Sequence, residues 1–220
     1  MPGRLLALAL ALVLTGGLAA AQPLPARPRR AGGVAIFTGS FDPIHEGHLR
    51  VARAARDELG VDRVILLPRP PYGEKHPVAV ADRAAMIRLA VAGTPGIEVA
   101  DNATIRTLAR RGDEVVLAGF RARDPRQRVF RIQGTDSLLK TLEAGFLQQN
   151  LARGIHYAVV PRAGYPLPKR LPRGVSVLRP TPEVVSSSAI RRSLAEGHAP
   201  RGLPAVVARY IRDHGLYRAR

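Results

Sequence analysis

The chain has 220 residues, no cysteine, no tryptophan and a formal net charge of +17. The absence of cysteine excludes disulfides, thiol nucleophiles, a lipid-modified cysteine and thiolate-bound zinc. Roughly 190 residues after the N-terminal segment suffice for one sizeable α/β core, and with aromatics at 5% that core must be built from Val, Leu, Ile and Ala.

Residues 1–21 read as a secretory signal peptide (or an N-terminal apolar anchor). Arg4 is a small basic region, Leu5 to Leu14 is apolar, and Ala19-Ala20-Ala21 offers a small-residue cleavage site. The apolar run is short for a membrane span, which needs about 20 residues. An active signal places the protein in an exported or periplasmic compartment; otherwise the expected compartment is the cytoplasm. Residues 22–32, rich in Pro and Arg, form a linker, and residues 33–220 one domain.

The domain alternates strand and helix. Strands are expected at Val34–Phe37, Arg63–Leu67, Ile97–Val99, Val129–Gln133, Tyr157–Val160 and Val175–Leu178. Helices are expected at His48–Leu59, Ala81–Ala92, Ser137–Leu142, Ser187–Glu196 and Pro204–His214, with a weaker one at Val115–Ala122. Asp82 and Ser187 suit first turns, and Pro204 suits a first helical position. This order implies an α/β fold with a Rossmann-like parallel sheet flanked by helices, whose ligands sit at the carboxyl ends of the strands. A Pro-rich loop, Pro68 to Pro77, follows the second strand.

The turn after the first strand carries the most information. Val34 to Phe37 is apolar, the pattern breaks at Gly39, and His45-Glu46-Gly47-His48 opens a helix. A strand, a tight turn and a helix N-terminus aim free N–H groups and a helix dipole at one point, which suits an anion. Two imidazoles at that point suggest chemistry on a phosphate. The basic charge fits anionic ligands in general, but the arginines are dispersed without interleaved aromatics, so no specific nucleic-acid partner is expected. Asn102-Ala103-Thr104 fits a glycosylation sequon by chance.

Gly39-Ser40-Phe41-Asp42-Pro43 followed by His45-Glu46-Gly47-His48 resembles the first motif of the nucleotidyltransferase superfamily, and Val185-Ser186-Ser187-Ser188-Ala189-Ile190-Arg191 resembles its second. Further stretches are similar to bacterial nicotinate-nucleotide adenylyltransferases. They are Leu66-Leu67-Pro68 with Pro70-Pro71 and Lys75, Arg83 to Ala90, Gly134-Thr135-Asp136-Ser137-Leu138, Val160 to Tyr165, and Val207 to Tyr217. The resemblance implies adenylyl transfer from ATP to a mononucleotide, most simply nicotinate mononucleotide to its adenine dinucleotide. It implies Mg²⁺ arriving with ATP, and no protein cage for that ion is visible. Self-association is left open.

In that reading His45 and His48 hydrogen-bond the triphosphate and stabilise charge at the transferred phosphate, and the Gly47 gap allows close backbone approach. Thr38, Gly39, Ser40 and Phe41 supply backbone or hydroxyl donors, while Asp42 braces the turn. Ser186, Ser187 and Ser188 offer hydroxyls and a helix end to the outer phosphates, and Arg191 offers its fork. Lys75 closes over the phosphates, with His76 a weaker candidate. Asp136, after Gly134, binds the adenosine ribose or caps a helix, and Arg162 meets a phosphate or decorates a turn. Asp113 and Glu114 are expected to be solvated. The chain departs from the family at Gly112 to Phe120, where the acceptor-binding Ser-Tyr-Thr-x-Asp-Thr-Leu helix is absent; it also lacks the ring-stacking tryptophan, with Phe146 near that place. These departures leave two further readings: another phosphorylated acceptor, or an exported non-catalytic nucleotide-binding paralogue.

Overall fold

Continuous apolar runs such as Val34–Phe37 and Val64–Leu67 send side chains alternately to either side, so both faces of a central parallel sheet are packed. The computed structural model describes residues 32–71, 77–180 and 185–218. The expected signal peptide, nearly all of the linker, Lys75 and His76 lie outside the described residues.

In chain order the elements are β1 (Gly33–Gly39), α1 (Glu46–Leu59), β2 (Arg63–Pro68), α2 (Val80–Val91), β3 (Ile97–Val99), α3 (Asn102–Arg123) and β4 (Arg128–Gly134). They continue with α4 (Thr135–Glu143), α5 (Phe146–Ala152), β5 (Ile155–Val160), β6 (Val175–Val177), α6 (Ser187–Ala195) and α7 (Ala205–Asp213). All strands pair in parallel, in the order β3-β2-β1-β4-β5-β6. The order reverses between β1 and β4, so a crevice opens beyond their carboxyl ends.

On one face Ala35, Val64, Leu66, Phe130 and Ile132 pack against Leu49 and Ala52 of α1, Met86 and Ile87 of α2, and Val207 and Ile211 of α7. On the other, Val34, Ile36, Ile65, Leu67 and Val129 pack against Ile105, Leu108, Leu117 and Phe120 of α3. Tyr157 and Val159 continue that second face under Leu138 of α4 and Leu147 of α5. Each fully buried Leu or Ile contributes roughly 1.5–3 kcal/mol of transfer free energy.

Three expectations are corrected. The weak helix at Val115–Ala122 is the second half of a helix that starts at Asn102. Asp101 caps it, accepting the Thr104 N–H at 2.6 Å, and Gly112, with φ 78° and ψ 177°, kinks it in the middle. The kink puts the apolar stripes of the two halves out of phase, which hides the helix from a single periodicity. Helix α5 was not expected, because its seven residues bury only Leu147 and Asn150. Pro204 stands just before the first turn of α7 as its cap residue, not within it.

Candidate active site

The crevice is a cleft of about 1200 Å³. Thr38, Gly39, Ser40, Phe41, His45, His48, Gly134, Asp136, Ser187, Ser188 and Arg191 all line it. Three separate segments of sequence therefore meet at one place, and of the expected site residues Lys75 and the weaker candidate His76 fall outside the described residues.

The histidines are built into the start of α1. His45 is its cap residue, and the His45 backbone N–H donates to Nδ1 of His48 at 3.3 Å. With Nδ1 accepting, Nε2 of neutral His48 carries the hydrogen and is a donor. The two rings stack at 3.7 Å between centroids, and the His48 ring stands edge-on to Phe41 at 4.9 Å. Phe41, with φ 48°, turns its buried ring under His48. Gly47 leaves room for the His45 ring, which a Cβ there would approach to 3.0 Å. Burial first, and then the Arg162 guanidinium, push His45 down to about 4. Burial, His45 and Arg162 hold His48 well below the usual imidazole range. Both rings are neutral at pH 7 in the free protein, and Nδ1 of His45 is buried without a hydrogen-bond partner among the described residues.

The second motif docks directly on the first. Ser187 Oγ donates to the Pro43 carbonyl at 3.0 Å, and Arg191 Nη1 donates to the Asp42 carbonyl at 2.7 Å. Arg191 also lies 3.5 Å from the Asp42 carboxylate. Ser186 caps α6 through the Ala189 N–H, and Ser188 Oγ accepts from Arg191 Nη2 at 3.3 Å. The hydroxyls of Ser186 and Ser187 thus serve the fold, and what remains for a ligand is the helix end, Ser188 and the Arg191 fork. Asp42, 6% exposed, receives the Tyr217 hydroxyl at 2.6 Å and the Val78 N–H at 3.2 Å, which is the bracing role expected of it.

Gly134 lets β4 run straight into α4. A Cβ there would collide with the Arg162 guanidinium and the Asp136 carboxylate. Asp136 is not the cap of α4; Gly134 holds that position, and Asp136 pairs with Arg162 at 3.3 Å on the cleft wall.

Several residues were not singled out from sequence. Arg83 is fully buried and ties the loops after β1 and β2 together through the carbonyls of Ser40 (2.7 Å), Arg69 (2.8 Å) and Val78 (2.9 Å). Asp113, 14% exposed, is not solvated, and Glu114, 38% exposed, is paired as well as partly solvated: Arg131 binds both at 2.7 Å, and Arg69 binds Asp113 at 2.7 Å. Arg131 and Gln133 line the cleft from β4. The signal for both was present as two polar residues at alternate places in the buried strand Val129–Gln133. Phe146 is 49% exposed and does not line the cleft. Among the described residues no group of three or more His, Asp or Glu could hold a metal ion, and no helix is long and apolar enough to cross a membrane.

The cytidylyltransferase-like family profile matches residues 36–193. The chain is a nucleotidyltransferase of that family. It is 37% identical over 198 residues to a "probable nicotinate-nucleotide adenylyltransferase" of Neisseria meningitidis, covering 84% of this chain and 98% of that protein. A relative of the same name from Laribacter hongkongensis is 35% identical over 209 residues, covering 84% and 94%. Within the family the chain belongs with the nicotinate-nucleotide adenylyltransferases. The fold matches a solved nicotinic acid mononucleotide adenylyltransferase of Plasmodium falciparum complexed with NaAD, with a TM-score of 0.68 at 16% identity over 84% of this chain and 97% of that one. The same enzyme complexed with APC matches with a TM-score of 0.63 at 15% identity over the same shares.

Proposed function

We propose that this chain transfers the adenylyl group of ATP to the phosphate of nicotinate mononucleotide, releasing pyrophosphate. An acceptor phosphate oxygen attacks the α-phosphorus, a new P–O bond forms, and the α–β bridging P–O bond breaks. No enzyme-bound intermediate is required, so catalysis consists of alignment and charge stabilisation. The observation that carries this reading is the docking of the Arg191 helix end onto the turn that holds His45 and His48. It brings cationic and N–H donors from both ends of the domain to one cleft.

His48 Nε2–H faces charge developing on the transferred phosphate, and His45 is the second donor of the pair. Both enter neutral, which avoids placing two buried cations side by side before substrate arrives; the incoming triphosphate then favours their protonation. Arg191 and the first turn of α6 hold the leaving pyrophosphate. Backbone groups of Thr38 to Phe41 line its path, and Asp136 binds the adenosine ribose. Mg²⁺ comes with ATP and keeps water and phosphate oxygens as ligands. The cleft fits that arrangement, because its carboxylates, Asp42 and Asp136, are already engaged by Tyr217, Arg191 and Arg162. The test is pyrophosphate release by the full-length protein with ATP and Mg²⁺, with and without nicotinate mononucleotide. Release that depends on the acceptor is the expected result, and acceptor-independent release or none would refute the proposal.

A further inference from the structure

We propose that Arg83 is a positioning residue for the transfer: it holds the Ser40 carbonyl so that the Phe41 N–H is turned to the cleft as a fixed donor for the transferred phosphate. This rests on the reaction proposed above. Arg83 is fully buried in the opening turn of α2, the positive end of that helix, and its Nη2 is buried without a hydrogen-bond partner among the described residues. Burial and the helix dipole both oppose a cation there, so the fold keeps it against its own stability. The hydrogen bonds it makes among the described residues all go to backbone carbonyls, those of Ser40, Arg69 and Val78.

The segment it holds is strained. Phe41 has φ 48°, a conformation that a residue with a side chain keeps only when its surroundings over-determine it. Before Phe41, Arg83 Nη1 donates to the Ser40 carbonyl at 2.7 Å. After it, the Asp42 carboxylate accepts the Val78 N–H at 3.2 Å, and Arg83 Nε donates to the Val78 carbonyl at 2.9 Å. The Arg69 N–H donates to the Gly39 carbonyl at 2.8 Å, and Arg83 Nη1 donates to the Arg69 carbonyl at 2.8 Å. One side chain thus ties the turn after β1 to the end of β2 and to the start of α2. The Ser40–Phe41 peptide is trans, so its N–H points away from its C=O. Its carbonyl is taken inward by a guanidinium that solvent does not reach. Its N–H points the other way, to the side where Ser40 and Phe41 line the cleft, and has no acceptor among the described residues. A cation on the carbonyl also polarises the peptide and strengthens that donor.

The experiment compares full-length wild type, Arg83→Met, Arg83→Lys and, as a control for lost stability alone, Leu117→Ala in the core under α3. Each is assayed below its thermal midpoint for kcat and for KM of ATP, with nicotinate mononucleotide as acceptor. A misplaced donor to the transition state lowers turnover rather than ground-state binding. Arg83→Met is therefore expected to lower kcat by about 10–100-fold with KM for ATP within about threefold of wild type. Arg83→Lys keeps the charge but replaces the fork by a point donor, and is expected to turn over at least about threefold faster than Arg83→Met. Leu117→Ala is expected to keep kcat within about twofold of wild type, its cost being a core cavity. A second readout needs no turnover. The chain has five phenylalanines, so isotope labelling of their amide nitrogens lets the Phe41 N–H be followed by magnetic resonance. An ATP analogue with a methylene between its α- and β-phosphates is expected to shift that signal in wild type and to shift it less in Arg83→Lys. Wild-type kcat in Arg83→Met, a loss carried by KM alone, an equal loss in Leu117→Ala, or a wild-type Phe41 signal that ignores the analogue would overturn the assignment of Arg83 and leave the reaction standing. Should Arg83→Met fail to fold, Arg83→Lys and the Phe41 signal decide. No acceptor-dependent turnover by wild type would overturn the reaction and this inference with it.

Discussion

Replacing Tyr217 by Phe removes one oxygen atom, and the structure sets the size of the effect. The Tyr217 hydroxyl donates to Asp42 Oδ1 at 2.6 Å, and Asp42 is 6% exposed. Burial, and then the Asp42 carboxylate, raise the Tyr217 phenol above its ordinary range, so it stays a donor throughout neutral pH. A hydrogen bond to a buried charged group contributes about 1.5–3 kcal/mol. The Val78 N–H at 3.2 Å and Arg191 at 3.5 Å remain on Asp42 in the variant, so a loss of about 2 kcal/mol is expected. At this chain length that lowers the thermal midpoint by roughly 4–8 °C. Tyr210→Phe is the control: its hydroxyl bonds Asp82 at 2.9 Å, but Asp82 is only half-buried, and a loss of at most about 1 kcal/mol is expected. The assay is urea denaturation of the wild type and both variants at pH 7.5. Equal stability of Tyr217→Phe and wild type would refute the claim that Asp42 depends on this bond to hold the turn.

Three further outcomes follow from the same geometry. His45 titrates near 6.5 when unfolded and is pushed down to about 4 when folded. The unfolded chain therefore binds the proton first as pH falls, and stability is full above 6.5 and is lost progressively down to about 4. Between pH 7.5 and pH 5 this histidine alone removes about 2 kcal/mol, with His48 acting in the same direction, and His45→Gln is expected to flatten the urea midpoint against pH. His48→Ala is expected to lower kcat by about 10²–10³, the cost of losing one donor to the transition state, with an unchanged circular dichroism spectrum; near-normal turnover would remove His48 from the chemistry. Gly112→Ala forces a Cβ into the φ 78°, ψ 177° kink of α3 and is expected to cost about 1–3 kcal/mol, whereas a neutral result would mean that α3 straightens freely.

The parts of the site that were legible in sequence are those whose meaning is local. The run from Val34 to His48 contains its own strand, turn and helix start, and the cleft assembles from it as expected. Ser186 to Arg191 is likewise one helix end. The sequence is silent where a residue's contacts depend on a distant partner. Ser187 is expected to offer its hydroxyl and a helix end to a phosphate; the structure adds a bond from that hydroxyl to the Pro43 carbonyl, 144 residues away in the chain. Asp113 and Glu114 looked solvated because nothing near them in sequence is their counterion; Arg131 reaches them only because β4 lies beside β1 and α3 packs across that face. Helix α3 was half-seen because Gly112 breaks the apolar phase between Leu108 and Val116.

The most direct measurement of the central claim uses ATP labelled on its α-phosphate, Mg²⁺, nicotinate mononucleotide and the full-length protein. The account predicts that the label moves into a dinucleotide while unlabelled pyrophosphate leaves in equal amount, and that His48→Ala suppresses both together. Label appearing in free AMP, or remaining in ATP while the mononucleotide is bound, would contradict it.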